Sequence, residues 1–226
     1  LASGLDGPRD LAVDDSYVYF SDYGSGTGTG SIKKVSKSGG TPTTLASGLT
    51  APYYIALDED YVYFAEYEGS YVKKVSKNGG SVTTLVISSN HCYTLAVDED
   101  YVYFMEHIIQ DHQIVGGNVK KTPKNGGNVE ILQENQNYPA GIEIDIDFIY
   151  YAEVNAGNIK KLSKGGDLII QSVEPIQVIA NQKALVKDKE TIMRINVTST
   201  FKGNVWAKIR ITYNFGQTYI ENGPYG

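Results

Sequence analysis

All three histidines of the 226-residue chain, His91, His107 and His112, fall in one stretch together with Glu106 and Asp111. Neutral imidazole and carboxylate are the donors that zinc and manganese take, so His91, Glu106, His107 and His112 are the candidate metal ligands. The five-residue step from His107 to His112 matches no recognised ligand spacing. A polar surface loop that collected these residues is the simpler reading, and no metal site is assigned. Calcium has a different candidate set in the acidic runs Asp14-Asp15, Asp58-Glu59-Asp60, Asp98-Glu99-Asp100 and Asp145-Ile146-Asp147. Aspartate is equally the ordinary residue of a tight turn, and turn chemistry is preferred.

Nucleophilic chemistry finds little purchase. There is no Gly-x-Ser-x-Gly elbow, and the single cysteine, Cys92, can form no intrachain disulfide and is read as a structural thiol. Paired lysines at 33–34, 73–74, 120–121 and 160–161 suggest a polyanion surface. Adjacent strand residues point to opposite sides, however, so solvated or snorkelling side chains are the expectation. A net charge of −6 lacks the basic footprint that nucleic acid requires. No apolar run is long enough to cross a membrane as a helix, so no membrane insertion is expected of this segment.

The elements that position these residues come from a repeat. Tyr17-Val18-Tyr19-Phe20, Tyr61-Val62-Tyr63-Phe64, Tyr101-Val102-Tyr103-Phe104 and Phe148-Ile149-Tyr150-Tyr151 are each followed by a lysine pair and then by Gly-Gly. From Lys33 to Tyr61, Lys73 to Tyr101 and Lys120 to Phe148 the interval is 28 residues each time. From the tyrosine strand to its lysine pair it is 16, 12, 19 and 12. One loop per repeat is therefore free to vary, as in arrays whose units stack and keep their insertions on one face. Each unit parses into four short strands with Asp-rich and Gly-Gly turns, the blade of a β-propeller. The approximate repeats are 4–47, 48–87, 88–134 and 135–167.

The motifs Tyr19-Phe20-Ser21-Asp22, Tyr63-Phe64-Ala65-Glu66, Tyr103-Phe104-Met105-Glu106 and Tyr150-Tyr151-Ala152-Glu153 look like degenerate YWTD sequences. They lack the Trp and carry Glu for Asp in three of four copies. Residues 1–167 thus resemble the YWTD/NHL/TolB-like superfamily of propellers, usually six-bladed, whose members include receptors, adhesins, lyases and lactonases. The resemblance implies four four-stranded blades of a larger, six-bladed propeller. Leu1-Ala2-Ser3-Gly4-Leu5 reappears as Leu45-Ala46-Ser47-Gly48-Leu49, the tail of a repeat, so the sequence is read as a fragment beginning inside one, an open arc with unpaired ends. Residues 168–226 leave the pattern. The alternation Thr191, Met193, Ile195, Val197 suggests a half-buried strand, and the segment resembles the start of an immunoglobulin-like sandwich of the CARDB type.

Fold analogy puts ligands on the variable-loop face, at the mouth of the central channel. Tyr53, Tyr54 and Tyr93 lead into the innermost strands there and are the expected ligand contacts. The reading is an all-β, non-catalytic binding module that holds a protein or glycan, in a larger secreted or cell-surface protein, with no resident cofactor. The alternative is a metal-dependent enzyme of the lactonase or streptogramin-lyase kind.

Overall fold

The computed structural model describes residues 1–164 and, beyond them, the strands 169–176, 192–198, 205–206, 209–212, 218–221 and 224–225. The chain divides into two compact units, Leu1–Lys164 and Gly165–Gly226. In the first, β1 (Pro8–Val13), β2 (Tyr17–Asp22), β3 (Gly30–Ser36) and β4 (Thr43–Leu49) form an antiparallel meander. A second blade has β5 (Pro52–Leu57), β6 (Tyr61–Glu66), β7 (Tyr71–Ser76) and β8 (Thr83–Ile87), and a third has β9 (His91–Val97), β10 (Tyr101–Gln110), β11 (Gln113–Pro123) and β12 (Glu130–Gln136). The fourth sheet holds β13 (Pro139–Ile144), β14 (Phe148–Glu153) and β15 (Asn158–Ser163). Three blades are four-stranded, whereas the fourth has three described strands rather than the four expected.

The acidic turns are structural. Asp14 Oδ1 accepts from the backbone N–H of Ser16 and Tyr17, closing the turn between β1 and β2. Its Oδ2 accepts from the Tyr19 hydroxyl at 2.8 Å. Asp58, Asp98 and Asp145 repeat both arrangements, with Tyr63, Tyr103 and Tyr150 as the hydroxyl donors. The Gly-Gly turns use φ of +85° and +130° at Gly39 and Gly40, and similar values at Gly79-Gly80 and Gly126-Gly127, a region where a side chain would be strained.

The core is a set of layers between blades, as units that cannot bury their own faces require. Tyr19, Ile32, Leu45 and Ala46 of the first blade meet Ile55, Val62, Phe64 and Val75 of the second. Tyr63, Val72 and Val86 then meet Cys92, Leu95, Val102 and Phe104, and Tyr103, Met105 and Val119 meet Ile142, Ile149 and Tyr151. Both faces of the tyrosine strands β6 and β10 are thus buried, which is why they read as continuous apolar runs. The outer Thr43-Thr44 and Thr83-Thr84 are exposed.

Two expectations are corrected. The long third variable segment is no loop: β10 and β11 extend their ladder to a two-residue turn at Asp111-His112, with φ of +49° and +61°. Asp and His tolerate this left-handed conformation better than most residues, and the flanking Ile108-Ile109 and Ile114-Val115 favour strand. The lysine pairs, in turn, are less solvated than expected: of the eight side chains Lys161 alone is exposed. Lys33, Lys73, Lys120 and Lys160 pair with Asp22, Glu66, Glu106 and Glu153, the acidic residues that end the YWTD-like motifs. Lys34, Lys74 and Lys121 cross to the next blade and donate to the carbonyls of Lys77, Lys124 and Lys164. An ammonium at a blade junction thus finds its partners within the protein.

In the second unit, β16 (Ile169–Ile176) pairs antiparallel with β17 (Ile192–Thr198). β18 (Val205–Trp206) pairs with β21 (Pro224–Tyr225), and β19 (Ile209–Thr212) with β20 (Thr218–Glu221). The remainder of the segment for which an immunoglobulin-like module is expected lies outside the described residues.

Candidate functional site

Each innermost strand carries a bulge at the same repeat position. The ladder to the second strand skips between Pro8 and Leu11, Pro52 and Ile55, Cys92 and Leu95, and Ala140 and Ile142. A bulge releases side chains from strict alternation and re-aims them. In the second and third blades the released residues include Tyr53, Tyr54 and Tyr93, and the structure brings all three together. Tyr54 and Tyr93 meet edge to face at 4.9 Å between centroids, and Tyr53 stands 5.2 Å from Tyr54 and 5.6 Å from Tyr93. The hydroxyls of Tyr54 and Tyr93 are 3.3 Å apart. Burial and that hydroxyl contact push the Tyr93 phenol well above its usual range.

The cluster is larger than the sequence suggests. Tyr67 packs 6.0 Å from Tyr53 and 5.8 Å from Tyr93, and Tyr23 of the first blade meets Tyr53 at 6.1 Å. Tyr138, leading into the fourth blade, packs on His107 at 5.1 Å. All six tyrosines are half-buried, so ring surface stays open to solvent. The missed signal is positional: Tyr23, Tyr67 and His107 each directly follow the acidic residue of a YWTD-like motif. Arg9 places its guanidinium 4.8 Å from the Tyr23 ring and 5.2 Å from that of Tyr53, so these ring faces accept a cation.

The base of the cluster is pinned across blades. Ser21 Oγ accepts from the Asp10 amide and donates to the Tyr53 carbonyl, while Asp10 Oδ2 accepts from the Ile55 amide at 2.8 Å. The two ends of the Tyr53–Ile55 bulge are therefore held by the first blade. Burial raises the Asp10 carboxyl above its usual value, against the pull of the Ile55 and Leu11 amides.

The metal candidates separate. His91 and His107 are ladder partners in β9 and β10, and His112 sits exposed at the tip of the extended hairpin. His107 is fully buried, and its Nε2–H donates to the Pro139 carbonyl at 2.8 Å. Burial depresses its basicity, with His91 nearby adding to the effect. Glu106 is spent on Lys120 at 2.6 Å, Ser88 at 2.6 Å, Asn118 at 2.8 Å and Asn90 at 3.0 Å. Among the described residues no three His, Cys, Asp or Glu side chains stand together as a set that could hold one ion. Cys92 is buried, and desolvation, followed by the Glu106 charge, pushes its thiol up to about 12. A thiol so rarely ionised is no nucleophile at neutral pH.

No protein-family model matches the chain, and no curated protein does. Solved structures do. The chain is similar to one in the nidogen/laminin complex, with TM-score 0.54 and 21% identity over 69% of this chain and 64% of that one. It is similar to the computationally designed Ika4 protein, with TM-score 0.56 and 14% identity over 73% of this chain and 96% of that one. A streptogramin B lyase matches with TM-score 0.54 and 16% identity over 71% of this chain. A gluconolactonase from Xanthomonas campestris matches with TM-score 0.51 and 15% identity over 69%. The chain spans 64% of the nidogen/laminin-complex chain and 56% of each of the two enzymes. The immunoglobulin-like expectation for residues 168–226 receives no support from these similarities. At such identities the likeness carries the fold and nothing finer: residues 1–164 are propeller blades of a kind that serves binding proteins and enzymes alike.

Proposed function

We propose that this chain is a non-catalytic propeller module that holds a segment of another protein at the tyrosine-lined mouth, with Tyr53, Tyr54 and Tyr93 as its main contacts. The observation that carries this reading is the convergence of six half-buried tyrosines from all four blades on the variable-loop face. Tyrosine supplies rigid, amphipathic contact area and loses little entropy on binding, and such rings dominate the energetics of protein recognition. Arg9, stacked on two of them, displays how an incoming arginine or lysine would be received. The nidogen/laminin likeness fits a protein ligand, although at 21% identity it speaks for the fold. We place the module in a secreted or cell-surface protein as part of the same proposal. No set of donors in the described residues favours the enzymatic alternative.

Panning the purified chain against a random peptide library, with a glycan array in parallel, tests this. The reading requires enriched peptides, and Tyr53→Ala, Tyr54→Ala and Tyr93→Ala should each weaken a retained peptide by about 2 kcal/mol, roughly 30-fold. Enrichment of glycans alone, or peptide affinity indifferent to all three substitutions, overturns it.

A further inference from the structure

Tyrosine faces serve as cation seats throughout the first unit. Tyr17, Tyr61 and Tyr101 carry the ammonium groups of Lys34, Lys74 and Lys121 at 4.5, 4.3 and 4.8 Å from their ring centroids. Tyr71 carries that of Lys73 at 4.4 Å. A cation is drawn to the negative face of such a ring, most strongly where water is partly excluded. At the mouth, the guanidinium of Arg9 lies over both Tyr23 and Tyr53, whose rings meet at 88°. The chain's own arginine thus marks, by direct contact, a side-chain chemistry that these rings accept.

The second blade adds a carboxylate beside those rings. Residues 67–70 turn the chain from β6 into β7, with the Ser70 amide donating to the Tyr67 carbonyl at 3.3 Å. The Tyr67 amide is fixed on the Ala51 carbonyl at 3.0 Å, and its ring packs 6.0 Å from Tyr53 and 5.8 Å from Tyr93. Gly69 lets the turn settle closely, since a Cβ there would lie 2.8 Å from the Tyr71 ring and 2.9 Å from the Glu66 carboxylate. Glu68 is exposed, and its Oε1 accepts from the Tyr23 hydroxyl at 2.9 Å, across the junction with the first blade. That bond raises the Tyr23 phenol above its usual range, and burial does the same for Tyr67, so both rings stay neutral at physiological pH. The carboxylates that end the YWTD-like motifs are each offset by a lysine. Glu68 differs in reaching the tyrosine cluster itself, where its charge complements a cation.

We propose that the protein segment held at the mouth is anchored by an arginine, its guanidinium stacked on Tyr67 and paired with Glu68. This inference rests on the reading of the mouth as a protein-binding site and names the side chain that the site takes. Arginine is favoured over lysine because a guanidinium is planar and weakly hydrated, so it can stack on a ring and grip a carboxylate at once. Glu68 is then the residue that sets the charge preference, and Tyr67 the one that supplies the stacking face.

An array of capped peptides, each sequence made with arginine, lysine or citrulline at one position, tests this on the full 226-residue chain. Citrulline keeps the shape of arginine without its charge. The arginine version should bind about tenfold more tightly than the citrulline version. Glu68→Gln keeps an oxygen for the Tyr23 hydroxyl and should weaken only the charged versions, by about threefold at low salt and by less at high salt. Tyr67→Phe keeps the ring face and should retain the arginine preference, whereas Tyr67→Leu should cut it to about threefold or less. Circular dichroism verifies that the sheet content of each variant is unchanged. Peptides that bind equally well with arginine and citrulline, or better with lysine, overturn the anchor and leave the protein-binding reading standing. So does an arginine preference that is unchanged in either Glu68→Gln or Tyr67→Leu. An array on which nothing binds overturns both.

Discussion

Lys164 of the fourth blade donates to Asp98 of the third, Nζ to Oδ2, at 2.8 Å, although 66 residues separate them. The same carboxylate closes its own turn and receives the Tyr103 hydroxyl, so one side chain sets a turn, a strand and the neighbouring blade at once. Burial alone would raise the Asp98 carboxyl, but Lys164, the Tyr101 amide and Tyr103 together hold it below its usual value. Its stabilising contribution is therefore complete above the unfolded value near 3.9 and is lost as pH falls through the lower folded one. Asp98→Asn should destabilise the first unit by about 1–2 kcal/mol at neutral pH and flatten the acid limb of its stability profile. Asp145→Asn, which makes the same change in a turn with no turn lysine among the described residues, should do less. Urea unfolding of both variants at pH 7 and in acid checks the contrast, and equal losses would show that the lysine contributes nothing.

Glu106 is fully buried between Lys120, Ser88, Asn90 and Asn118. Removing its countercharge strands an ion in the interior, so Lys120→Met should cost about 3 kcal/mol. The double variant Glu106→Leu, Lys120→Met should recover part of that, because two apolar groups replace the pair. The double-mutant cycle by denaturant unfolding decides; a double variant as unstable as the sum of the singles would mean the pair is not coupled.

Gly117 gives a test of the close approach between blades. An added Cβ would sit 2.3 Å from the Glu106 carbonyl oxygen and 2.6 Å from Pro139 Cγ, contacts that only a shift of backbone or proline can relieve. Gly117→Ala should therefore destabilise by about 1–3 kcal/mol. Gly126→Ala meets no atom within 4 Å, although its φ of +82° alone imposes strain. Comparing the two melting curves, with and without Pro139→Ala, separates the clash from backbone strain: only the Gly117→Ala deficit should shrink when Pro139 is trimmed.

The repeat, its turns and the placement of Tyr53, Tyr54 and Tyr93 at the start of innermost strands were legible because each is a local pattern. Asp14 caps a turn three residues away, and Tyr53 follows a left-handed Ala51 and a proline that begin an innermost strand. The lysine partners were hidden because the variable segment lies between Lys120 and Glu106, so their separation changes from blade to blade. The turn-lysine pairs, Lys77 with Asp14, Lys124 with Asp58 and Lys164 with Asp98, were hidden because their partners lie one blade away. Likewise, Ile108-Ile109 and Ile114-Val115 could have announced the extended hairpin, but the glycines at 116 and 117 read as a loop until Pro139 is seen filling the space that Gly117 leaves.

His107 ties the tyrosine cluster to pH. It is fully buried beside Tyr93, at 4.3 Å between centroids, donates its Nε2 proton to Pro139, and has a buried Nδ1 with no hydrogen-bond partner. A proton on Nδ1 would place a charge in that unpartnered position, which is why burial lowers the affinity of the ring for it. The unfolded chain takes up a proton near pH 6.5, the folded one only at lower pH, so stability is full above about 6.5 and falls as pH drops toward the folded value. His107→Gln keeps an N–H for the Pro139 carbonyl and does not titrate. Its unfolding free energy should therefore vary less between pH 7 and pH 5 than that of the wild type, while Tyr93 fluorescence reports whether the cluster loosens over the same range. Identical pH profiles for the two proteins would mean that His107 does not sense the proton.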